Sequence, residues 1–120
     1  MKVLIIVAHG SKIQSSNDEI KNISQNISNM IDKSNYQEVK YAFLELAEPS
    51  FKDVLETTAN NPLIKEITVF PYFLAAGQHV KSDIPELIDE CKINHKHIKF
   101  NILSHFGKCI GIEDLIISNS

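Results

Sequence analysis

This 120-residue chain lacks an excess of positive charge. It has 12 lysine and arginine residues against 15 aspartate and glutamate residues, for a formal net charge of -3. A dedicated nucleic-acid-binding domain normally presents a basic face, so this balance argues against that class. The lysines are scattered singly, without the cluster that binds an anionic membrane surface. We therefore expect neither a nucleic-acid partner nor a membrane partner.

Long apolar runs are missing as well. The apolar stretch 3–8 is far too short for a membrane span, or for the core of a signal peptide followed by a cleavage site. No low-complexity tract and no linker rich in proline or glycine interrupts the chain. A chain of this length fits one domain and forms a core without disulfide or metal cross-links. We expect a single cytoplasmic domain spanning residues 1–120.

Cysteine occurs only twice, and the two residues form no CxxC pattern. Cys91 falls on the apolar stripe of a predicted helix, so its expected role is that of a small buried hydrophobe. Cys109 lies in a predicted loop, where a role as a metal ligand is the less favoured alternative. The usage of cysteine is typical of a reducing compartment.

What the chain does have is a regular alternation of apolar strands and amphipathic helices, which is typical of βαβ units and a parallel sheet. Strands are predicted at 2–8, 38–45, 65–70 and 97–103. Helices are predicted at about 16–33, from 49 to the turn at 60–62, from 83 through 91, and at 110–117. Ser16 with Glu19, and Asp83 with Glu86, have the spacing of capping boxes.

The strength of the apolar pattern predicts the order of the strands. The first and third strands have the stronger apolar character, whereas the second and fourth alternate, which favours the order 2-1-3-4 in an α/β fold. Right-handed crossovers then place the first and second helices on opposite faces. The first and third strands become neighbours with diverging connections, and ligands bind at the carboxyl end of such a switch point.

An ionisable side chain follows each predicted strand: His9, Glu45, His79 and His105 in chain order. In the predicted topology His9 and His79 flank the switch-point crevice, with Glu45 beside His9 and His105 beside the loop that carries His79. By contrast, His95 and His97 lie at the opposite end of the sheet, and we expect them to be solvated.

Common ligand motifs are absent after the first strand, where the sequence reads His9-Gly10-Ser11-Lys12. Neither the G-x-G-x-x-G pattern of dinucleotide folds nor the G-x-x-x-x-G-K-[ST] phosphate loop occurs. No G-x-S-x-G elbow supports a serine hydrolase.

Three stretches resemble the small class II tetrapyrrole chelatases, the sirohydrochlorin cobaltochelatase and ferrochelatase family. They are VAHGSK at 7–12, AFLELAEPS at 42–50, and VFPYFLAAGQHVKSDIP at 69–85. The resemblance implies a three-layer chelatase fold, with a four-stranded parallel sheet flanked by helices. It also implies a lyase that inserts a divalent metal into sirohydrochlorin on the route to cobalamin or related cofactors. The family's active-site histidines fall on His9 and His79, and its acidic partner falls on Glu45.

The resemblance also bears on assembly. A single lobe of this length resembles the short form of the family, which builds its cleft as a homodimer. The sequence departs from relatives after the fourth strand, where His105-Phe106-Gly107 replaces a Pro-Leu-Gly-like turn, and no histidine-rich tract follows. These differences affect the part of the cleft that the segment after the fourth strand would form, and they bear on which metal is inserted.

The chemistry of metal insertion suits these residue types. Neutral imidazole binds Co²⁺, Fe²⁺ and Ni²⁺, and it also accepts protons near neutral pH. We assign metal binding and proton abstraction to His9 and His79, with Glu45 assisting. No resident cofactor is expected, because the metal is a substrate: cobalt first, with iron or nickel as alternatives.

Further residues are candidates for contacts with the tetrapyrrole: Ser11, Lys12, Tyr72, Phe73, Lys81 and Ser82. Backbone N–H groups at helix starts near Ser11 and Ser82 are expected to bind carboxylates. Two other classes stay open, namely a non-catalytic binding module for a metal or tetrapyrrole and a flavodoxin-like carrier.

Overall fold

Strands and helices alternate along the whole chain in the computed structural model, which describes residues 1–120. The strands are β1 (Lys2–Ala8), β2 (Glu38–Phe43), β3 (Glu66–Pro71) and β4 (Lys99–Ile102). The helices are α1 (Gln14–Met30), α2 (Phe51–Ala59), α3 (Ile84–Ile93) and α4 (Ile112–Ser118). A π-helical turn, His79–Asp83, leads directly into α3, and a short 3₁₀ turn, Phe106–Lys108, precedes α4.

The sheet is parallel throughout and has the predicted order β2-β1-β3-β4. Strand β1 is buried from Val3 to Ala8, because it lies between two strands and under helices on both faces. Its neighbours are in register along its length, with Val3 opposite Ile67 on one side and Ala8 opposite Phe43 on the other. The strand order predicted from the apolar patterns is thus confirmed.

The main core lies between the sheet and the layer formed by α2 and α3. Alternate residues of β1 point into it, since successive side chains of a strand face opposite sides. The helices contribute several fully buried side chains: Phe51, Leu55, Ile84 and Ile88. Ser50 begins α2 by accepting a hydrogen bond from the Asp53 N–H (3.2 Å). This side of the sheet is therefore well filled.

Helix α1 covers the opposite face, as the crossover rule predicts. Its residues Ile23 and Ile27 lie with Leu4 and Ile6 around an apolar groove of about 270 Å³. The apolar spacing of this helix predicts that Met30 lies on its buried face, which is wrong, because α1 terminates at Met30 and leaves that side chain 84% exposed. This face is the less completely filled of the two.

The predicted capping box at the start of α1 is also wrong. The helix begins at Gln14, so Ser16 lies inside it. Its first turn is instead fixed by Asn17, whose side chain accepts from the Ser11 N–H (3.0 Å) and donates to the Ser11 carbonyl (2.8 Å). The buried Asn17 amide thus ties the segment before the helix to its first turn, and no side chain caps α1.

The capping box predicted at Asp83 fails for a different reason. Asp83 already has helical backbone angles, because the π-helical turn runs into α3 without a break. Its carboxylate makes no capping bond and accepts instead from His79. The segment predicted as loop up to residue 82 therefore ends in helix.

Helix α4 packs against the preceding 3₁₀ turn and leaves much of its apolar surface in solvent. Leu115, Ile116 and Ile117 are 49%, 61% and 69% exposed. None of the helices combines the length and the apolar character that a bilayer crossing requires.

Candidate metal centre

His9 and Glu45 are brought side by side because the β1–β2 hydrogen bonds continue beyond the strand ends. The Glu45 N–H donates to the His9 carbonyl (3.0 Å). Gly10 permits this approach, because it has a φ of +99° and a Cβ at this position would lie 1.8 Å from the Glu45 carbonyl oxygen. A residue with a side chain would force the two strand ends apart.

His79 reaches the same point from the neighbouring strand β3. After Tyr72, whose N–H donates to the Val7 carbonyl (2.8 Å), the chain leaves the sheet and returns in the π-helical turn that His79 begins. The Ile84 N–H closes this turn on the His79 carbonyl. The rings of His9 and His79 then lie 4.8 Å apart, centroid to centroid, at 62°. π-Helical turns are frequent at functional sites.

Three potential ligand atoms converge in this crevice. The His9 Nε2 lies 2.9 Å from the Glu45 Oε1, and the His79 Nε2 lies 3.4 Å from the same oxygen. The nearest ligand atoms of the three side chains all lie within 4.8 Å of one another. The sequence predicts His9 and His79 on the two sides of the switch point with Glu45 beside His9. The structure brings these side chains together and places the Glu45 carboxylate within reach of both histidines.

The other ring nitrogen of each histidine is occupied by an acceptor. The His9 Nδ1 donates to the Gly10 carbonyl (2.9 Å), and the His79 Nδ1 donates to an Asp83 carboxylate oxygen (2.7 Å). In the neutral form of each ring this places the lone pair on Nε2. Two nitrogen lone pairs and a carboxylate oxygen thus face one another, an arrangement that a cation satisfies.

The centre is open to solvent. The side chains of His9, Glu45 and His79 are 46%, 50% and 32% exposed. Three protein ligands leave at least one coordination position free, unlike the closed four-ligand set of a structural zinc site. Such a centre can both accept and release an ion.

An acidic cleft and an apolar cleft lie near His79. One, of about 450 Å³, is lined by the following residues: Leu44, Glu45, His79, Asp83, Glu86, Leu87 and Glu90. The other, of about 260 Å³, is entirely apolar and is lined by Tyr72, Phe73, Leu74 and Phe106. The Phe73 and His79 ring centroids are 6.1 Å apart, so the apolar cleft lies next to the His79 ring.

The turn after β4 forms part of the apolar wall. The Gly107 N–H donates to the Phe73 carbonyl (3.0 Å), and a Cβ on Gly107 would lie 1.7 Å from the Leu74 carbonyl oxygen. Phe106 meets the Tyr72 ring edge to face at 5.2 Å. The unusual residue of this turn, His105, is half-buried and lies outside the group of metal-ligating side chains.

Four other residues predicted to contact the tetrapyrrole lie outside the group formed by His9, Glu45 and His79: Ser11, Lys12, Lys81 and Ser82. Lys12 and Lys81 are exposed and form no ion pair with the three ligand residues. Of the backbone N–H groups near the start of α1, that of Ser11 is already used, because it donates to the Asn17 side chain (3.0 Å). Ser82 is not a helix start, because it lies inside the π-helical turn.

Sequence reasoning missed Asp83 as a partner of His79. The signal was present in the spacing of four residues, which places the two side chains on one side of a helical turn. It was overlooked because the segment ending at residue 82 was predicted as loop and Asp83 as a cap. The hydrogen bond to His79 is what Asp83 contributes.

The prediction for His95 is wrong. His95 is only 7% exposed, and its Nε2 lies 3.3 Å from a Glu56 carboxylate oxygen. The buried position predicted for Cys91 is confirmed, and the thiol belongs to the same group of potential ligands as Glu56 and His95. Burial, together with the Glu56 carboxylate, raises the pKa of Cys91 to about 11. Cys109, for which a role as a metal ligand is the less favoured alternative, donates its thiol hydrogen to the His105 carbonyl at 3.6 Å.

Fold and site together define a class: parallel α/β proteins with an open centre of two histidines and a glutamate at the switch point of the sheet. The family model of CbiX matches residues 3–119, so the chain belongs to the CbiX family. This confirms the resemblance seen in the three sequence motifs.

The relatives include chelatases for cobalt and for iron. The sirohydrochlorin cobaltochelatase of Methanopyrus kandleri is 33% identical over 88 residues, covering 73% of this chain and 59% of the relative. That of Sulfurisphaera tokodaii is 34% identical, covering 74% and 69%. The chloroplastic sirohydrochlorin ferrochelatase of Arabidopsis thaliana is 33% identical over 104 residues, covering 87% and 44%. The chain thus spans less than two thirds of the length of the first and third of these relatives.

Solved structures show the same fold. A CbiX protein from Marinobacter aquaeolei superposes with a TM-score of 0.75 at 25% identity, covering 99% of this chain and 97% of that protein. SirB from Bacillus subtilis, solved with Fe³⁺, gives a TM-score of 0.83 at 21% identity, covering 98% of this chain and 45% of SirB. The three-layer chelatase fold expected from the sequence is confirmed.

Proposed function

We propose that this chain inserts a divalent metal ion, cobalt in the first place, into sirohydrochlorin in cobalamin-type tetrapyrrole biosynthesis. Membership of the CbiX family and the names of its relatives support the substrate. The observation that carries the proposal is the convergence of two Nε2 atoms on one Glu45 carboxylate oxygen, at 2.9 and 3.4 Å. This centre holds the ion that is to be inserted.

Insertion exchanges one cation for two protons at the same atoms. The divalent ion leaves His9, Glu45 and His79 and forms bonds to the macrocycle, while two pyrrole N–H groups each lose a proton. The lone pairs freed by the departing ion are the acceptors nearest to those protons. The charge of the centre is therefore the same before and after transfer, and no large electrostatic penalty accumulates in it.

The two clefts suit the two substrates. Carboxylates attract cations, so the acidic cleft beside Glu45 and His79 is a path for the metal. The apolar cleft offers Tyr72 and Phe73 to the face of a flat ring, with Leu74 and Phe106 beside them. Lys12 and Lys81 are exposed and serve carboxylates at the rim of the macrocycle, with Ser11 and Ser82 offering hydroxyl groups nearby.

We propose further that two copies close the active cleft. A centre with side chains 32–50% exposed covers only one side of a macrocycle. Apolar side chains of the C-terminal segment also lack cover, since Ile110 is fully exposed and Ile116 is 61% exposed. A second copy of the chain would cover the open side of the centre and bury the exposed apolar side chains of the C-terminal segment. The proposal takes residues 1–120 as one cytoplasmic domain without a resident cofactor.

The test is an anaerobic assay of the purified protein with sirohydrochlorin and, separately, Co²⁺, Fe²⁺ or Ni²⁺, followed by absorbance. We expect turnover, fastest with Co²⁺, and a loss of turnover in Glu45→Gln. The matched control is Glu19→Gln, which changes an exposed glutamate on α1. Faster turnover with Fe²⁺ at equal free concentration would replace cobalt by iron. Binding of metal and tetrapyrrole without turnover would make the chain a binding module.

A further inference from the structure

A second group of ligand-type side chains lies at the opposite end of the sheet from the His9–Glu45–His79 centre. Glu56 comes from α2, Cys91 from α3, and His95 from the turn between α3 and β4. Their nearest ligand atoms all lie within 4.8 Å of one another. The His95 Nε2 and a Glu56 carboxylate oxygen are 3.3 Å apart.

This group is enclosed where the first centre is open. Cys91 is 1% exposed and His95 is 7% exposed. Glu56 has a side chain that is 40% exposed, so its carboxylate connects the buried thiol and imidazole with solvent. An ion can enter along the carboxylate and then be held by the two buried ligand atoms of Cys91 and His95.

We propose that Glu56, Cys91 and His95 bind a borderline-soft divalent cation of the zinc type, at a site separate from the first centre. Thiolate sulfur, imidazole nitrogen and carboxylate oxygen are the three ligand types that Zn²⁺ takes in proteins. Ligand atoms at roughly 2.0–2.3 Å from a tetrahedral ion lie roughly 3.3–3.8 Å from one another. Drawing the present atoms together by about 1 Å reaches that geometry, and water completes the coordination.

Neither packing nor catalysis accounts for the same three residues. A buried cysteine packs equally well against aliphatic side chains, so packing alone does not explain why a carboxylate and an imidazole are the neighbours of Cys91. A nucleophilic cysteine needs access to a substrate, and Cys91 is 1% exposed. A cation compensates the carboxylate and needs no further space.

A bound ion would connect α2, α3 and the turn before β4, and would therefore stabilise the fold. Only the folded chain presents the three ligands together, so binding adds to the free energy of unfolding. We expect the midpoint of thermal unfolding to rise when Zn²⁺ is added to metal-free protein.

The experiment uses Co²⁺ as a spectroscopic substitute for Zn²⁺ in the reduced, metal-free full chain. A cobalt–thiolate bond gives a charge-transfer band in the near ultraviolet, whereas a centre of imidazole and carboxylate gives none. We expect the band of the wild type to saturate at one equivalent of Co²⁺ bound to the thiolate site. The band should be absent in Cys91→Ser and should disappear when Zn²⁺ displaces the Co²⁺. Cys109→Ser is the matched control and keeps the band. The double variant His9→Ala/His79→Ala also keeps it.

A wild type without the band, or a band lost in Cys109→Ser and kept in Cys91→Ser, overturns the proposal. If Cys91→Ser does not fold, as judged by circular dichroism, Glu56→Gln decides the matter, because its side chain is partly exposed. In the His9→Ala/His79→Ala background, which removes the open centre, loss of this ligand should weaken Zn²⁺ binding by at least roughly tenfold, the lower end of the effect of removing an outer-shell partner. An unchanged affinity in Glu56→Gln contradicts the site. No sirohydrochlorin is used, so a negative result leaves the proposed function standing.

Discussion

The two ends of the sheet carry similar side chains in opposite surroundings. At the carboxyl end, His9, Glu45 and His79 are 46%, 50% and 32% exposed. At the amino end, Cys91 and His95 are 1% and 7% exposed, and only Glu56 reaches solvent. Open ligands exchange an ion readily, whereas enclosed ligands that include a thiolate retain it. Under the two proposals above, burial and the thiolate ligand together would retain the ion at the amino end, whereas the exposed centre at the carboxyl end would release it.

The strongest way to break the comparison is to remove a ligand from the open centre. We expect His79→Ala to lower kcat/KM for metal insertion at least about 100-fold, because both an ion ligand and a proton acceptor are lost. His97→Ala is the matched control, since His97 is exposed and belongs to neither ligand group. The measurement is steady-state turnover with sirohydrochlorin. Equal losses in the two variants contradict the assignment.

The enclosed end makes a prediction about pH in metal-free buffer. The thiol of Cys91 has a pKa of about 11 in place of 9.0, because burial and Glu56 disfavour its anion. The unfolded chain therefore loses this proton first as pH rises. The resulting stability is complete below pH 9 and disappears as pH rises to about 11, an effect on the order of 2–3 kcal/mol.

Denaturant unfolding at pH 8 and at pH 11 measures this effect. Cys91→Ala should lose less unfolding free energy across the interval than the wild type does, and Cys109→Ala should behave as the wild type. A wild type and a Cys91→Ala variant with the same pH dependence would show that the thiol ionises freely in the folded chain.

A smaller effect should follow from the residue behind His79. We expect Asp83→Asn to weaken metal binding to the open centre by about 10–100-fold, because the hydrogen bond that orients the ring loses its charge. Asp89→Asn, on the exposed side of α3, is the control. Calorimetric titration with Co²⁺, in a Cys91→Ala background that removes the second group, gives the affinity. A large fall in kcat with unchanged affinity would instead give Asp83 a role in proton transfer.

The smallest expected change concerns the acidic cleft. Glu90→Gln removes one charge from the wall of that cleft without touching a ligand. We expect KM for the metal to rise by roughly twofold at low salt, with kcat unchanged, and the difference to shrink as salt is added. Initial rates at two ionic strengths test this. A salt-independent change in kcat contradicts a role in attraction.

Much of the fold was readable from local patterns. The continuous apolar run of β1 and the alternation in β2 predict the order of the strands, because a strand covered on both faces differs in composition from an edge strand. His9 and Glu45 follow from the same reasoning, since the carboxyl ends of parallel strands meet at one edge of the sheet. These placements need only backbone topology.

What escaped prediction depends on contacts between distant segments. His95 lies in a polar stretch and looks solvated, yet it is buried against Glu56, which is 39 residues away in sequence. Asp83 fits a local capping pattern, but its carboxylate goes to His79 because the π-helical turn leaves no free helix start there. In both cases a tertiary partner outweighs the local preference.

The junction between Gly107 and Leu74 has a consequence for selectivity. The backbone of the turn after β4 touches the backbone of the segment that carries Phe73, with no room for even a methyl group between them. The two sides of the apolar cleft are therefore in backbone contact, and a substitution at Gly107 would displace one from the other. Under the proposed function, the spacing set by this contact would select among macrocycles by the thickness and curvature of the ring.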